Sequence, residues 1–179
     1  MPDSPDEKTI ENIKLEYSAL RAEIVQRIGL RQQLLAITFT ITGVILGFGV
    51  NNGPIALILP PLILFLVIAW TQNDTRVYDA ATHIREKIEP NVPGLRWETD
   101  VQRERQETKN IKWRRTILSH GGVFVFVQFI AILVGVLQFT PNALLIVLLV
   151  IDAVSVVITI ITLRSVRRAE VSETIKDGQ

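Results

Sequence analysis

The sequence predicts an all-α integral membrane protein with four transmembrane helices, paired as two antiparallel hairpins and prolonged by cytoplasmic helical extensions. Three observations predict it: apolar residues gathered into four blocks, two connections of three residues each, and a one-sided distribution of basic residues. The chain has 179 residues, of which 48% are hydrophobic. In a soluble domain of this size those residues would be spread through periodic helices and strands. Here they are segregated, and the charges fill the gaps between blocks.

The first block is Leu34–Val50 (34-50) and the second Pro54–Trp70 (54-70), joined by Asn51-Asn52-Gly53. The third spans 116-139 and the fourth 143-163, joined by Thr140-Pro141-Asn142. A membrane span needs about 20 apolar residues, with about 17 as the lower bound. All four blocks meet it, the first two by borrowing polar flanks. Connections this short turn the chain straight back, which predicts transmembrane hairpins over 34-70 and 116-163. Gly53-Pro54 and Pro141-Asn142 have turn chemistry, and Pro54 suits a first helical turn.

All 19 Lys and Arg residues lie in the N-terminal tail, the middle loop or the C-terminal tail, and neither short turn has one. The positive-inside rule then places both termini and the large loop in the cytoplasm. The expected location is the inner (plasma) membrane, crossed several times. Trp70 and Trp113 would sit in an inner aromatic belt.

The cytoplasmic segments have helical periodicity. Segment 1-33 contains Ile10, Ile13, Tyr17, Leu20, Ile24 and Ile28 at spacings of three and four, an apolar stripe on a charged helix that runs into the first span. In segment 71-115, Val77, Ala81, Ile84 and Ile88 continue the period up to Pro90. Pro90 and Pro93-Gly94 break it, and a second helix is expected from about Trp97. Segment 164-179 reads as a short helical tail.

Composition excludes several function classes. A net charge of +1 gives no field to attract nucleic acid. With no cysteine there are no disulfides, thiolate metal sites or cysteine nucleophiles. The charged, acidic start (Asp3, Asp6, Glu7) is unlike a cleavable signal peptide. No Walker pattern or phosphate-binding glycine loop occurs, and no nucleophile, base and orienting group recur at reachable spacing. Neither a catalytic site nor a metal or cofactor is expected. His83 stands isolated on the loop, and His120, near the cytoplasmic end of the third span, either reaches lipid headgroups or enters a proton relay. The sequon Asn73-Asp74-Thr75 would be inert in the cytoplasm.

Asp152 is the leading candidate site residue. It is the one Asp, Glu, Lys or Arg within the four blocks, near the centre of the fourth, where a charge costs at least about 2.5–3.5 kcal/mol on insertion scales. Such a group must face protein or water. Ser155, Thr159 and Thr162 follow at helical spacings, and Gln128 is the one strongly polar side chain in the middle of the third span. In a hairpin centred on Pro141, Asp152 matches the depth of Ile130, within one turn of Gln128. Two readings are open: a polar seam lining a water, ion or proton path, or hydrogen bonds that fix helix packing, worth under about 2 kcal/mol in membranes.

Gly43 and Gly47 form a GxxxG pattern, which allows close helix contact within a protomer or between protomers. Pro60 and Pro61 should kink the second span midway, as a static bend or a hinge. Lys112, Arg114 and Arg115, with Arg164, Arg167 and Arg168, abut the inner leaflet, where basic clusters attract anionic lipid headgroups or simply fix topology.

The segments Glu16–Leu35 (EYSALRAEIVQRIGLRQQLL) and Ala69–Pro90 (AWTQNDTRVYDAATHIREKIEP) resemble a group of uncharacterised bacterial four-helix inner-membrane proteins. The resemblance covers about half of the chain; it implies a bacterial inner membrane and no particular activity. In layout the chain is also similar to small SLATT-type membrane effectors, which implies pore formation, although those usually have two spans. The function expected from these features is an oligomeric inner-membrane channel or pore-forming effector, a homo-oligomer in the lipid bilayer with cytoplasmic helices for sensing or assembly. The alternatives are a membrane-anchored scaffold that offers those helices to a cytoplasmic protein partner, and a small proton-coupled transporter.

Overall fold

The computed structural model describes residues 7–92, 94–107, 112–137 and 143–176. Among them the regular structure is helical throughout, with no strand. In chain order the helices are α1 (Glu7–Gly49), α2 (Gly53–Ala56), α3 (Leu59–His83), α4 (Trp97–Glu107), α5 (Lys112–Leu137) and α6 (Ala143–Lys176). A π turn (Ile84–Ile88) and a 3-10 turn (Glu89–Asn91) follow α3. Three helices, Lys8–Gly49, Gly53–Asn91 and Ala143–Ser165, are long and apolar enough to cross a membrane, and Gly121–Leu137 is a shorter apolar helix.

No proline interrupts residues 7–49, so α1 runs unbroken through the apolar stripe and the first block. It ends in a turn in which Asn51 N–H donates to Phe48 O and Asn52 N–H to Gly49 O, each at 3.2 Å. Gly49 is required there, since a Cβ would lie 2.8 Å from the Ala56 Cβ. Pro54 occupies the first turn of α2, as its missing N–H favours.

The bend in the second block differs from the expected one. It falls at Leu57–Ile58, between α2 and α3, three residues before Pro60, near the start of the long Gly53–Asn91 segment instead of midway. The cause is covalent: Pro60 and Pro61 lack the N–H groups that Ala56 and Leu57 carbonyls would accept from. The defect therefore appears one turn upstream of the prolines, where Ile58 N–H takes the shorter bond to Ile55 O at 3.2 Å.

Two compact units divide the chain, Met1–Arg31 with Asn73–Lys112, and Gln32–Gln72 with Trp113–Gln179. In the first, Ile24, Ala80, Ile84 and Ile88 form a buried core, with Ile13, Tyr17, Leu20, Val77, Ala81 and Leu95 packed around it. Much of the N-terminal stripe thus packs on the predicted loop helix, while Ile28 remains 43% exposed. Glu89, itself buried, closes the loop. Its carboxylate accepts from the N–H groups of Glu98 (2.6 Å) and Thr99 (3.1 Å) and from the Thr99 hydroxyl, capping the start of α4. Arg21 of α1 donates to Glu98 at 2.7 Å and lies 3.9 Å over the Trp97 ring. Gly94 supplies the left-handed turn before α4 with φ of 86°.

In the second unit, Leu59, Ile63 and Val67 of α3 pack on Phe124, Val127 and Ala131 of α5, with Leu35, Ile41, Ile45 and Leu46 of α1 around them. Large apolar side chains also cover its outside, among them Phe39, Phe48, Phe65, Phe126 and Phe129. Its interior holds Thr38, Gln128, Asp152, Ser155 and Thr159.

Candidate functional site

The fourth apolar block forms the membrane-length part of α6, and its buried face is polar. Asp152 and Thr159 are fully buried and Ser155 nearly so, whereas Ile151, Val154, Val157 and Ile161 face outward. Steps of three and four residues keep the three polar groups on one stripe of the helix. Thr162 is only half-buried. Ten residues from Asp152 falls about 80° short of whole helical turns, so Thr162 leaves the stripe.

Gln128 enters from α5 and ties three helices together. Its Nε2 donates to the Pro60 carbonyl and to the Thr159 hydroxyl, each at 3.0 Å. Burial of the amide makes both bonds insensitive to competing water. The Pro60 carbonyl is the contribution of the proline pair to this layer.

Asp152 is not part of that layer. Gln128 bonds Thr159, seven residues or about 10.5 Å along α6 from Asp152. A turn centred on Pro141 therefore misjudges the register by a few residues, because contacts between α5 and α6 are set by side-chain packing and not by the midpoint of the connection. Both carboxyl oxygens of Asp152, and Oε1 of Gln128, are buried without a hydrogen-bond partner among the described residues. Ser155 donates to the Ile151 carbonyl at 2.9 Å, which satisfies its proton locally. The seam thus has a hydrogen-bonded layer at Gln128–Thr159 and an acceptor-only layer at Asp152. An acceptor-only layer has the chemistry to take up a proton, a water or a cation.

The remaining candidates separate. Gly43 and Gly47 are exposed, and among the described residues nothing lies within 4 Å of an added Cβ, so neither makes a close helix contact there. Trp70, expected in an inner aromatic belt, makes an edge-on contact with Phe124 (6.1 Å between centroids, 63° between planes). His83 is not isolated: its Nε2 lies 3.1 Å from Glu16 Oε1. Arg164 is exposed. The side chains of Lys112, Trp113, Arg114, Arg115, His120, Arg167 and Arg168, and the turn at Thr140-Pro141-Asn142, lie outside the described residues. Among the described residues no three His, Cys, Asp or Glu converge as a metal-binding group.

Sequence reasoning missed Glu89. A signal was present: the residue before α4 is Arg96, not the Ser, Thr, Asp or Asn that caps its own helix, so the cap had to come from elsewhere. It also missed the burial of Thr38, whose hydroxyl hides by donating to Leu34 O at 2.8 Å. No family model, curated protein or solved structure matches the chain.

Proposed function

We propose that this chain is an ion-conducting protein of the bacterial inner membrane, spanning it four times as two hairpins with both termini and the middle loop in the cytoplasm. The path follows the seam of Asp152, Ser155, Thr159 and Gln128 inside each protomer. The observation that carries this reading is the complete burial of Asp152 with both carboxyl oxygens unpartnered. A carboxyl retained only to pin helices together should be hydrogen-bonded, and that role is already filled by Gln128, Thr159 and Pro60. Intramembrane acids kept without such a role mark ion or proton pathways.

The apolar exterior of this unit supports lipid contact on its outer face. A path inside the protomer needs no pore shared among subunits. Homo-oligomer assembly is assigned to the open Gly43/Gly47 face of α1, and the basic residues flanking the spans to the anionic headgroups. The scaffold alternative loses support because Ile13 to Ile24 pack on the chain's own loop helix. Proton-coupled transport would use the same carboxyl group.

The test is flux into vesicles containing purified protein, driven by an imposed ion gradient. Wild type should conduct, and Asp152→Asn should lose at least about tenfold of the rate while keeping its helix content. Equal flux from the two proteins would remove Asp152 from the path.

A further inference from the structure

The surroundings of Asp152 bear on which ion the seam just proposed would carry. Asp152 has no counter-charge in its own unit. Gln32–Gln72 contains no Asp, Glu, Lys, Arg or His, and neither does Gly121–Leu137. Across Ala143–Ser165 the ionisable residues are Asp152 and Arg164. Arg164 is exposed and stands twelve residues away, a rise of about 18 Å along α6. Among the described residues an ionised Asp152 would be a buried charge without a partner, a state that apolar interiors strongly disfavour.

Nor is a hydrogen-bond donor left over beside it. Both hydrogens of the Gln128 amide go to the Pro60 carbonyl and the Thr159 hydroxyl, each at 3.0 Å. Thr38, Thr71 and Ser155, all buried, donate to the carbonyl four residues before them, at 2.8, 2.6 and 2.9 Å. Among the described residues of this unit the unpartnered buried donor is the Trp70 indole N–H, whose ring lies against Phe124. Helices α5 and α6 run antiparallel, with Gly121 against Leu163 and Gln128 against Thr159. Phe124 and Asp152 therefore fall on opposite sides of the Gln128–Thr159 bond.

We propose that Asp152 holds a proton as a neutral carboxylic acid, and that the proton is the ion this seam carries. The second half of this assignment rests on the conducting reading above. A group that only accepts gains nothing from these surroundings, whereas a group that donates has outlets in them. The buried hydroxyls show the outlet: a proton-bearing oxygen on these helices bonds the carbonyl one turn earlier. For Asp152 that residue is Leu148, and one turn on, Ser155 Oγ keeps its lone pairs. A proton cancels the carboxylate charge and needs no further ligand. A dehydrated alkali cation needs several oxygens in place of its hydration shell, and the two of one carboxyl do not make such a set. A water would donate to Asp152 but leave its charge in place. In transport, one carboxylate oxygen takes a proton from one side of the membrane, which neutralises the group. Release of that proton to the other side restores the carboxylate, and one positive charge has crossed.

The experiment pairs infrared spectroscopy with proton flux on the full chain in lipid vesicles. At neutral pH the wild type should show the C=O stretch of a neutral carboxylic acid, shifted in heavy water and missing from Asp152→Asn. Asp152→Glu, which keeps an acid, should retain the band at a displaced position. Proton entry down an imposed pH gradient is read with a trapped dye, while valinomycin and equal potassium on both sides carry the return charge. Asp152→Asn should slow this entry at least about tenfold, and Asp152→Glu should restore part of it. Exchanging external sodium for choline should leave it unchanged. Absence of the acid band from the wild type would overturn the protonated site, whether or not the variants fold. Asp152-dependent uptake of sodium or rubidium without acidification would overturn the proton and leave the seam. The band together with equal proton entry in wild type and Asp152→Asn would uphold the protonated site and remove the seam, and with it the proton as its cargo.

Discussion

Gln128 and Thr159 share a 3.0 Å hydrogen bond between α5 and α6, and the same amide nitrogen reaches the Pro60 carbonyl at 3.0 Å. One side chain therefore fixes the relative register of α3, α5 and α6 in the interior of their unit. Gln128→Leu should lower stability by about 1 kcal/mol, within the range of intramembrane hydrogen bonds. The loss stays below that of two full bonds because the unpartnered Oε1 disappears with the amide. Reversible unfolding in mixed micelles measures it, and a neutral substitution would show that packing alone sets the register.

Gly135→Ala should destabilise the chain even though Ala is the better helix former by about 1 kcal/mol. The added Cβ would sit 2.3 Å from Leu57 Cδ2 and 2.6 Å from its Cγ. Overpacking of this kind costs about 1–3 kcal/mol. Adding Leu57→Ala to Gly135→Ala should recover most of the loss, giving a coupling energy in a double-mutant cycle. Additive effects would show that the two residues do not meet.

Glu89→Ala should loosen the start of α4. Losing a cap costs about 1 kcal/mol, so amide exchange at Glu98 and Thr99 should accelerate by about fivefold. Exchange at amides of the second unit, such as Val127, should stay unchanged. Equal protection in mutant and wild type at Glu98 would mean that the carboxylate is not the acceptor there.

Gly43→Leu should leave the interior of the protomer untouched, since Gly43 is exposed and no other described side chain lies within 4 Å of an added Cβ. Its unfolding midpoint should match wild type, while the mass of the purified protein in nanodiscs, with lipid subtracted, should fall toward that of one chain. An unchanged oligomer would move the contact to another face.

The apolar blocks and the Ile10–Ile28 periodicity made the helices legible, because length, period and proline placement act locally. α1 runs through the stripe and the first block together, and α4 begins at Trp97 as Pro93-Gly94 required. The polar face of α6 was legible for the same reason: Asp152, Ser155 and Thr159 follow helical spacing. Contact across helices was beyond the reach of the sequence. The Gln128–Thr159 pairing depends on how side chains interlock, and no spacing rule contains it. The Glu89 cap joins residues nine and ten positions apart through a bend, and a linear reading had no cause to pair them. The position of the proline defect was derivable, since a missing N–H is felt by the carbonyl four residues earlier.

The π turn at Ile84–Ile88 has a consequence for how this chain can vary. A π turn is an α-helical turn with one surplus residue. Glu86 and Lys87 within it are exposed, so replacing either disturbs no buried contact. Removing one of them would let the helix tighten to ordinary pitch, and because the residue lost is the surplus one, the residues beyond keep their facing. Adding a residue there would instead rotate the residues beyond by about 100°, swinging Glu89 away from Glu98 and Thr99 and Ile88 out of its core. These surface codons are thus free to change in meaning and one of them can be lost, but a further residue cannot be gained.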